Sequence, residues 1–281
     1  MPFLKNMQIN HNEDSANIYY EDVGSGKPVV LIHGWPLSHE MWDSQLAELP
    51  AHGLRCIAYD RRGFGRSEKP WDGYNYDVFS DDLHKLMEKL DLMDATLVGF
   101  SMGGGEVIRY LSKYSTHRVS KIVLISSIIP YMLQTSDNPD GMPREKVQEM
   151  EAAIKADRGK FLTSFNKDFF GAGLMSSPVS TETLNWCHSL AMQASTRATV
   201  AAMHAFAGSD FREEIGAIHV PTLLIHGDAD KTVPLELTSK KAAAKMPNSE
   251  LKVYENAPHG LFITDKERLN KDLISFICRE D

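Results

Sequence analysis

The 281-residue chain has only three cysteines, Cys56, Cys187 and Cys278, odd in number and far apart in sequence. That excludes a disulfide framework and a cysteine-rich metal site, and makes a reducing cytoplasm the expected compartment. No Cys-x-x-Cys or His-x-x-x-His pair occurs, so the eleven histidines offer no metal-ligand spacing and are expected mostly on the surface or in loops. Long hydrophobic runs are missing too. The longest, Ile122 to Leu133, contains two serines and Pro130 and is too short to span a bilayer. Met1 to Asn10 breaks its apolar residues with Asn6, Gln8 and Asn10 and does not read as a secretory leader. An excess of positive charge is missing: 30 Lys and Arg stand against 38 Asp and Glu, and the net charge of −8 argues against a nucleic-acid or anionic-membrane partner, both of which need a basic face.

What is present is a rhythm. Short β-branched runs recur at Val29 to Ile32, Arg55 to Tyr59, Ala95 to Val98, Lys121 to Ile125, Thr222 to Ile225 and Leu251 to Tyr254. Continuous apolar runs of this length fit strands buried on both faces, as in a parallel sheet. Between them, Asp81 to Leu92, Gly105 to Tyr114, Leu235 to Met246 and Lys266 to Ile277 space their apolar residues as helices do. Met7 to Asn10 and Ile18 to Asp22 alternate more, as an antiparallel edge would. The expected fold is α/β with a mostly parallel sheet flanked by helices. The rhythm stops between about Pro130 and Ile218. There, loops (Thr135 to Met142, Gly171 to Pro178) alternate with helical runs (Glu145 to Ala156, Thr181 to Ala202). The expected organisation is a core of residues 1–129 and 219–281 with a helical cap, 130–218, inserted after a central strand.

Gly99-Phe100-Ser101-Met102-Gly103 sits between a strand-like and a helix-like run. This is the context of a nucleophile elbow, in which a tight turn presents a serine hydroxyl and glycine is needed on both sides. The hydroxyl needs a base, and the base needs an anionic partner. In chain order the carboxylate should come next and the histidine last. The loop after Thr222 to Ile225 offers Asp228 and Asp230, and the loop after Leu251 to Tyr254 offers His259. The ends of parallel strands are where α/β ligand sites form. Asp228, nearer its strand, has a second reading as a residue that ties down the turn. For the oxyanion, one donor should be the N–H of Met102. The other should come from the turn His33-Gly34-Trp35-Pro36, and because proline has no N–H the donor there is Trp35. His33 reads as a brace for that loop. Phe161, Phe165, Trp186, Met192 and Phe206, in the inserted segment, are expected mainly as core.

These stretches resemble the α/β-hydrolase superfamily, and within it the cofactor-free haloperoxidase, arylesterase and perhydrolase group. The likeness lies in His-Gly-Trp-Pro-Leu-Ser (33–38), Asp-Arg-Arg-Gly-Phe-Gly-Arg-Ser (60–67), Gly-Phe-Ser-Met-Gly-Gly-Gly-Glu (99–106), Arg118-Val119, Ile-His-Gly-Asp-Ala-Asp (225–230) and Ala-Pro-His-Gly (257–260). The resemblance implies the α/β-hydrolase fold, a triad of Ser101, Asp230 and His259, and an oxyanion hole at Trp35 and Met102. It implies a serine esterase acting on a small ester through an acyl-enzyme, with hydrogen peroxide able to replace water and give a peracid that oxidises halide, without cofactor or metal. Members of the group are often homo-oligomers. Lactone, lactam and carbon–carbon bond hydrolases share the triad and stay open as alternatives, as does a non-catalytic binding protein on the same fold. Epoxide opening and haloalkane displacement are disfavoured, because Ser101 stands where those enzymes place an aspartate.

Overall fold

The computed structural model describes residues 3–4, 16–173 and 177–279. Its strands are β1 (Phe3–Leu4), β2 (Ile18–Gly24), β3 (Lys27–Ile32), β4 (Leu54–Tyr59), β5 (Ala95–Phe100), β6 (Val119–Ile125), β7 (Thr222–Gly227) and β8 (Ser249–Tyr254). They form one sheet in the order β1-β2-β4-β3-β5-β6-β7-β8. β1 and β2 pair antiparallel, β2 pairs antiparallel with β4, and all later pairings are parallel. The antiparallel edge expected at Ile18 to Asp22 is thus β2, while Met7 to Asn10 lies outside the described residues. The helices are α1 (Asp43–Glu48), α2 (Tyr76–Lys89), α3 (Met102–Tyr114), α4 (Arg144–Phe169), α5 (Thr181–Gln193), α6 (Thr196–Gly208), α7 (Ser239–Ala243), α8 (Leu261–Thr264) and α9 (Lys266–Cys278). Among the described residues no helix is long and apolar enough to cross a membrane.

Every residue of β5 and β7 is buried, as a strand covered on both faces requires. β8 differs from its expectation: only Tyr254 is buried, and Val253 is exposed. Its position as the last strand explains this, since one flank has no neighbour.

Caps account for the other departures. α2 starts at Tyr76, earlier than its apolar spacing shows, because Asn75 accepts the Val78 N–H at 3.0 Å. Thr181 to Ala202 is not one helix: Ala194 is extended and Ser195 caps α6 by accepting the Ala198 N–H at 3.0 Å. The run expected at Glu145 to Ala156 continues beyond it. Asp157 leaves helical geometry, and its carboxylate accepts the Lys160 N–H at 2.9 Å to start a second segment of α4. Of Leu235 to Met246, only Ser239–Ala243 is helical. α4, α5 and α6 all fall between β6 and β7.

Beneath the sheet's C-terminal ends lies a buried ion pair. Arg61 Nε and Nη2 each stand 2.6 Å from Glu106 Oε2 on α3, and Tyr59 donates its hydroxyl to the same carboxylate. Both charged side chains are at most 1% exposed. Glu106→Ala should leave the guanidinium buried without its counter-charge, at a cost of about 3–5 kcal/mol. Urea unfolding of the variant should show the midpoint falling accordingly, and an unchanged midpoint would refute a stabilising role for the pair.

Candidate active site

β5 ends in a bend that few residues tolerate. Ser101 has φ 53° and ψ −117°, a positive φ outside the comfortable range for a side-chain-bearing residue. Three backbone hydrogen bonds hold it there: Ser101 N–H to Ile125 O at 2.8 Å, and Gly104 and Ile128 N–H to Ser101 O at 3.0 and 3.4 Å. The flanking glycines have the expected steric reason. A Cβ on Gly99 would stand 2.6 Å from Gly103 O, and one on Gly103 would stand 2.6 Å from Ile32 O. Strand, bend and helix can therefore pack only with glycine on both sides.

The sheet brings the three residues read from sequence into one line. His259 Nδ1 lies 2.6 Å from Asp230 Oδ2, and His259 Nε2 lies 3.0 Å from Ser101 Oγ. A carboxylate only accepts, so Nδ1 carries the proton and Nε2 is free to accept from the serine hydroxyl. Phe100 and Phe169 pack on the imidazole with ring centroids 5.0 and 4.8 Å away. Asp230 Oδ1 accepts the Thr232 and Val233 N–H groups at 2.9 and 2.8 Å. Burial opposes its charge, but the His259 imidazole and hydrogen bonds from His226 and His259 outweigh that and hold the carboxyl below the usual range. Asp228, the other acidic residue of this loop, is exposed and accepts the Asn256 N–H at 2.6 Å, which ties the β7 loop to the β8 loop.

Met102 opens α3, so its N–H has no carbonyl one turn earlier to bond. Among the described residues no backbone hydrogen bond engages the Trp35 N–H. The loop that carries Trp35 is locked from below. His33 Nδ1 donates to Gly34 O at 2.9 Å, and its Nε2 accepts the Arg61 N–H at 2.9 Å. Full burial, reinforced by the Arg61 guanidinium, lowers the His33 pKa to about 3, so the ring is a neutral brace. Arg61 Nη2 also donates to His33 O at 3.0 Å, and Tyr76 donates its hydroxyl to Met102 O at 3.0 Å. The Arg61–Glu106 pair thus joins the Trp35 loop to the helix that begins at Met102.

Ser101 and His259 open onto a cavity of about 510 Å³. Phe161, Phe165 and Phe206 pack on the core as expected, and they also line the cavity with Trp35, whose ring centroid is 6.3, 5.2 and 5.7 Å from theirs. The cause is the second segment of α4 and the end of α6, which lie across the strand ends. Trp186 lines a separate groove beside Glu21, His39 and Glu40, and Met192 is exposed. Asp140, Lys146, Asp168 and Lys231 also line the cavity. All four were missed in the sequence, where nothing sets them apart from other surface charges. His39 and His226 are buried as well, each held by a buried aspartate, Asp60 and Asp230, while His52, His117, His204 and His219 are exposed as expected.

A family model described as the alpha/beta hydrolase fold matches residues 27–266. A non-heme chloroperoxidase of Kitasatospora aureofaciens is 41% identical over 273 residues, covering 96% of this chain and 99% of its own. A bifunctional esterase/perhydrolase of Acinetobacter calcoaceticus is 38% identical, covering 94% of this chain and 97% of its own. The crystal structure of a bromoperoxidase from Bacillus anthracis superposes with a TM-score of 0.91 at 44% identity, covering 94% of this chain and 96% of that one. With the elbow at Ser101 at the end of β5 and a family match spanning most of the sequence, the chain belongs to the alpha/beta hydrolase fold family.

Proposed function

We propose that this chain is a serine hydrolase of small carboxylic esters that also forms peracids from hydrogen peroxide, and so halogenates without a cofactor. The observation that carries the reading is the continuous relay Ser101–His259–Asp230, opening on one cavity. In this reading residues 130–218 act as a cap over a core of 1–129 and 219–281, and the reducing cytoplasm is the working compartment.

Ser101 Oγ attacks the ester carbonyl while His259 Nε2 takes its proton. Asp230 steadies the resulting imidazolium and stays ionised. The Trp35 and Met102 N–H groups hold the developing oxyanion, a contribution of about 3–4 kcal/mol per donor. His259 then protonates the departing alkoxide, leaving the acyl group on Ser101. Water, deprotonated by His259, hydrolyses the acyl-enzyme to acid and free serine. Hydrogen peroxide in the same position gives the peracid, which leaves and transfers one oxygen to halide, returning the carboxylic acid. The relatives named as chloroperoxidase and esterase/perhydrolase support both branches.

Ser101→Ala should lower the rate on p-nitrophenyl acetate by about 10⁴-fold or more. Equal rates for variant and wild type would remove the esterase reading and leave a binding protein. Pro36 follows the proposed oxyanion donor and restricts the backbone of that loop. Pro36→Leu should therefore change the ratio of peracid formation to ester hydrolysis, measured by peroxide-dependent bromination in acetate buffer against ester turnover. An unchanged ratio would confine Pro36 to stiffening a turn.

Asp230 is more acidic in the folded chain than in the unfolded one, where a carboxylate titrates near about 3.9. Its contribution to stability is complete above that value and is lost as the pH falls towards the folded one. Thermal melts of wild type and Asp230→Asn should differ most near neutrality and converge as the pH drops below about 4. A constant difference across that window would contradict the assignment.

A further inference from the structure

The proposed triad does not account for every donor on its carboxylate. His226, at the end of β7, is fully buried, with Nε2 2.8 Å from Val233 O and 3.2 Å from Asp230 Oδ2. Both of those partners only accept, so Nε2 carries the proton and is shared between them. On the other side of the ring, Nδ1 accepts from the Ser239 hydroxyl at 2.7 Å. The ring therefore spans from α7 to the same oxygen that His259 Nδ1 addresses at 2.6 Å.

Resting on the triad reading, we propose that His226 is a positioning residue for catalysis: its Nε2–H is a fourth donor on the Asp230 carboxylate, completing a chain Ser239–His226–Asp230–His259–Ser101. Thr232 and Val233 N–H donate to Oδ1 and His259 Nδ1 to Oδ2; the His226 contact at 3.2 Å is the second on Oδ2, so on this proposal each carboxylate oxygen carries two donors. An oxygen so engaged cannot swing away from His259, and its basicity is shared, so the proton on His259 Nδ1 stays with the imidazole. The same contact shapes the pocket. Val233, whose carbonyl His226 holds, lines the cavity with Lys231, Thr232 and Pro234. Asp230 is the charged group in contact with the His226 ring, and His259 meets the same carboxylate. Lys231 and Asp228 are exposed, and on the α7 side Lys240 pairs with Glu236 and Lys241 reaches Asn138.

Two substitutions separate positioning from simple support of the loop. In His226→Asn the amide can replace Nδ1 towards Ser239 but is too short to reach Asp230. In His226→Gln the amide nitrogen falls near the place of Nε2 and can donate to Asp230. In Asn, loss of the fourth donor should lower kcat/KM by roughly ten-fold or more at neutral pH. It should also strengthen the bond from Asp230 to His259, favour the imidazolium, and move the acidic limb of the kcat/KM profile up by roughly half a pH unit. Gln should recover most of the lost rate and return the limb towards its wild-type position. Equal losses in both variants with no movement of the limb would overturn the proposal and leave His226 a packing residue, as would a wild-type profile in Asn. Thermal melts of both, run in parallel, show whether each is folded. If Ser101→Ala kept its activity, the triad reading and this proposal would fail together; if Ser101→Ala is inactive while Asn and Gln behave alike, only this proposal fails.

Discussion

Everything at this site depends on holding one serine in a backbone conformation it would not choose. A side-chain-bearing residue so far from the favoured regions costs on the order of 1–3 kcal/mol and persists only where its surroundings over-determine it. At Ser101 they do. β5 is wholly buried between β3 and β6, Ile125 O fixes the serine's N–H, and two N–H groups fix its carbonyl. The strain is useful because the same bend turns the hydroxyl out at the sheet's end and starts α3 in the next residue. The proposed nucleophile and one proposed oxyanion donor are consequently set by a single turn.

Around that bend the charges are buried in pairs or fully bonded. Asp230 gathers donors from two loops, Glu106 neutralises Arg61, and Asp60 accepts from His39 and the Arg66 N–H. Each would be costly alone in so dry a place. Together they act as fixed dipoles that need no rearrangement when charge develops, which is the form of electrostatic help that costs least during reaction. His33 shows the complementary solution: a titratable ring kept neutral by burial, so that it braces without adding charge.

How far this could be read from the sequence follows from how local each feature is. The elbow was legible because strand, bend and helix are consecutive and the steric need for Gly99 and Gly103 is written into one pentapeptide. Asp230 and His259 were legible as the chemistry-bearing residues of two loops at strand ends, although the choice of Asp230 over Asp228 came from resemblance. The structure separates the two by partner, since Asp230 meets His259 and Asp228 meets the Asn256 N–H. The Glu106 partnership was not legible, because Arg61 is distant in sequence and a glutamate inside a helix looks like any solvated one. His226 was invisible for the same reason: its meaning lies in the fold of the loop that follows it. The three phenylalanines were legible as packed residues but not as cavity wall, because apolar spacing reports burial, and a cavity wall and a core are both apolar.

That last ambiguity points to a division of labour. The sheet and its loops place the proposed triad, whereas α4 and α6, from the segment between β6 and β7, place the aromatic wall. Trp35 is where the two meet. Its backbone belongs to the loop after β3, its ring packs edge-on against Phe161, Phe165 and Phe206, and its Nε1–H donates to Thr199 O on α6 at 2.8 Å. A shift of α4 or α6 would press on that indole, and the indole is one residue's span from the N–H proposed to hold the oxyanion. Packing in α4 and α6 is therefore mechanically continuous with the Trp35 loop, so the cavity wall also bears on the N–H proposed to hold the oxyanion.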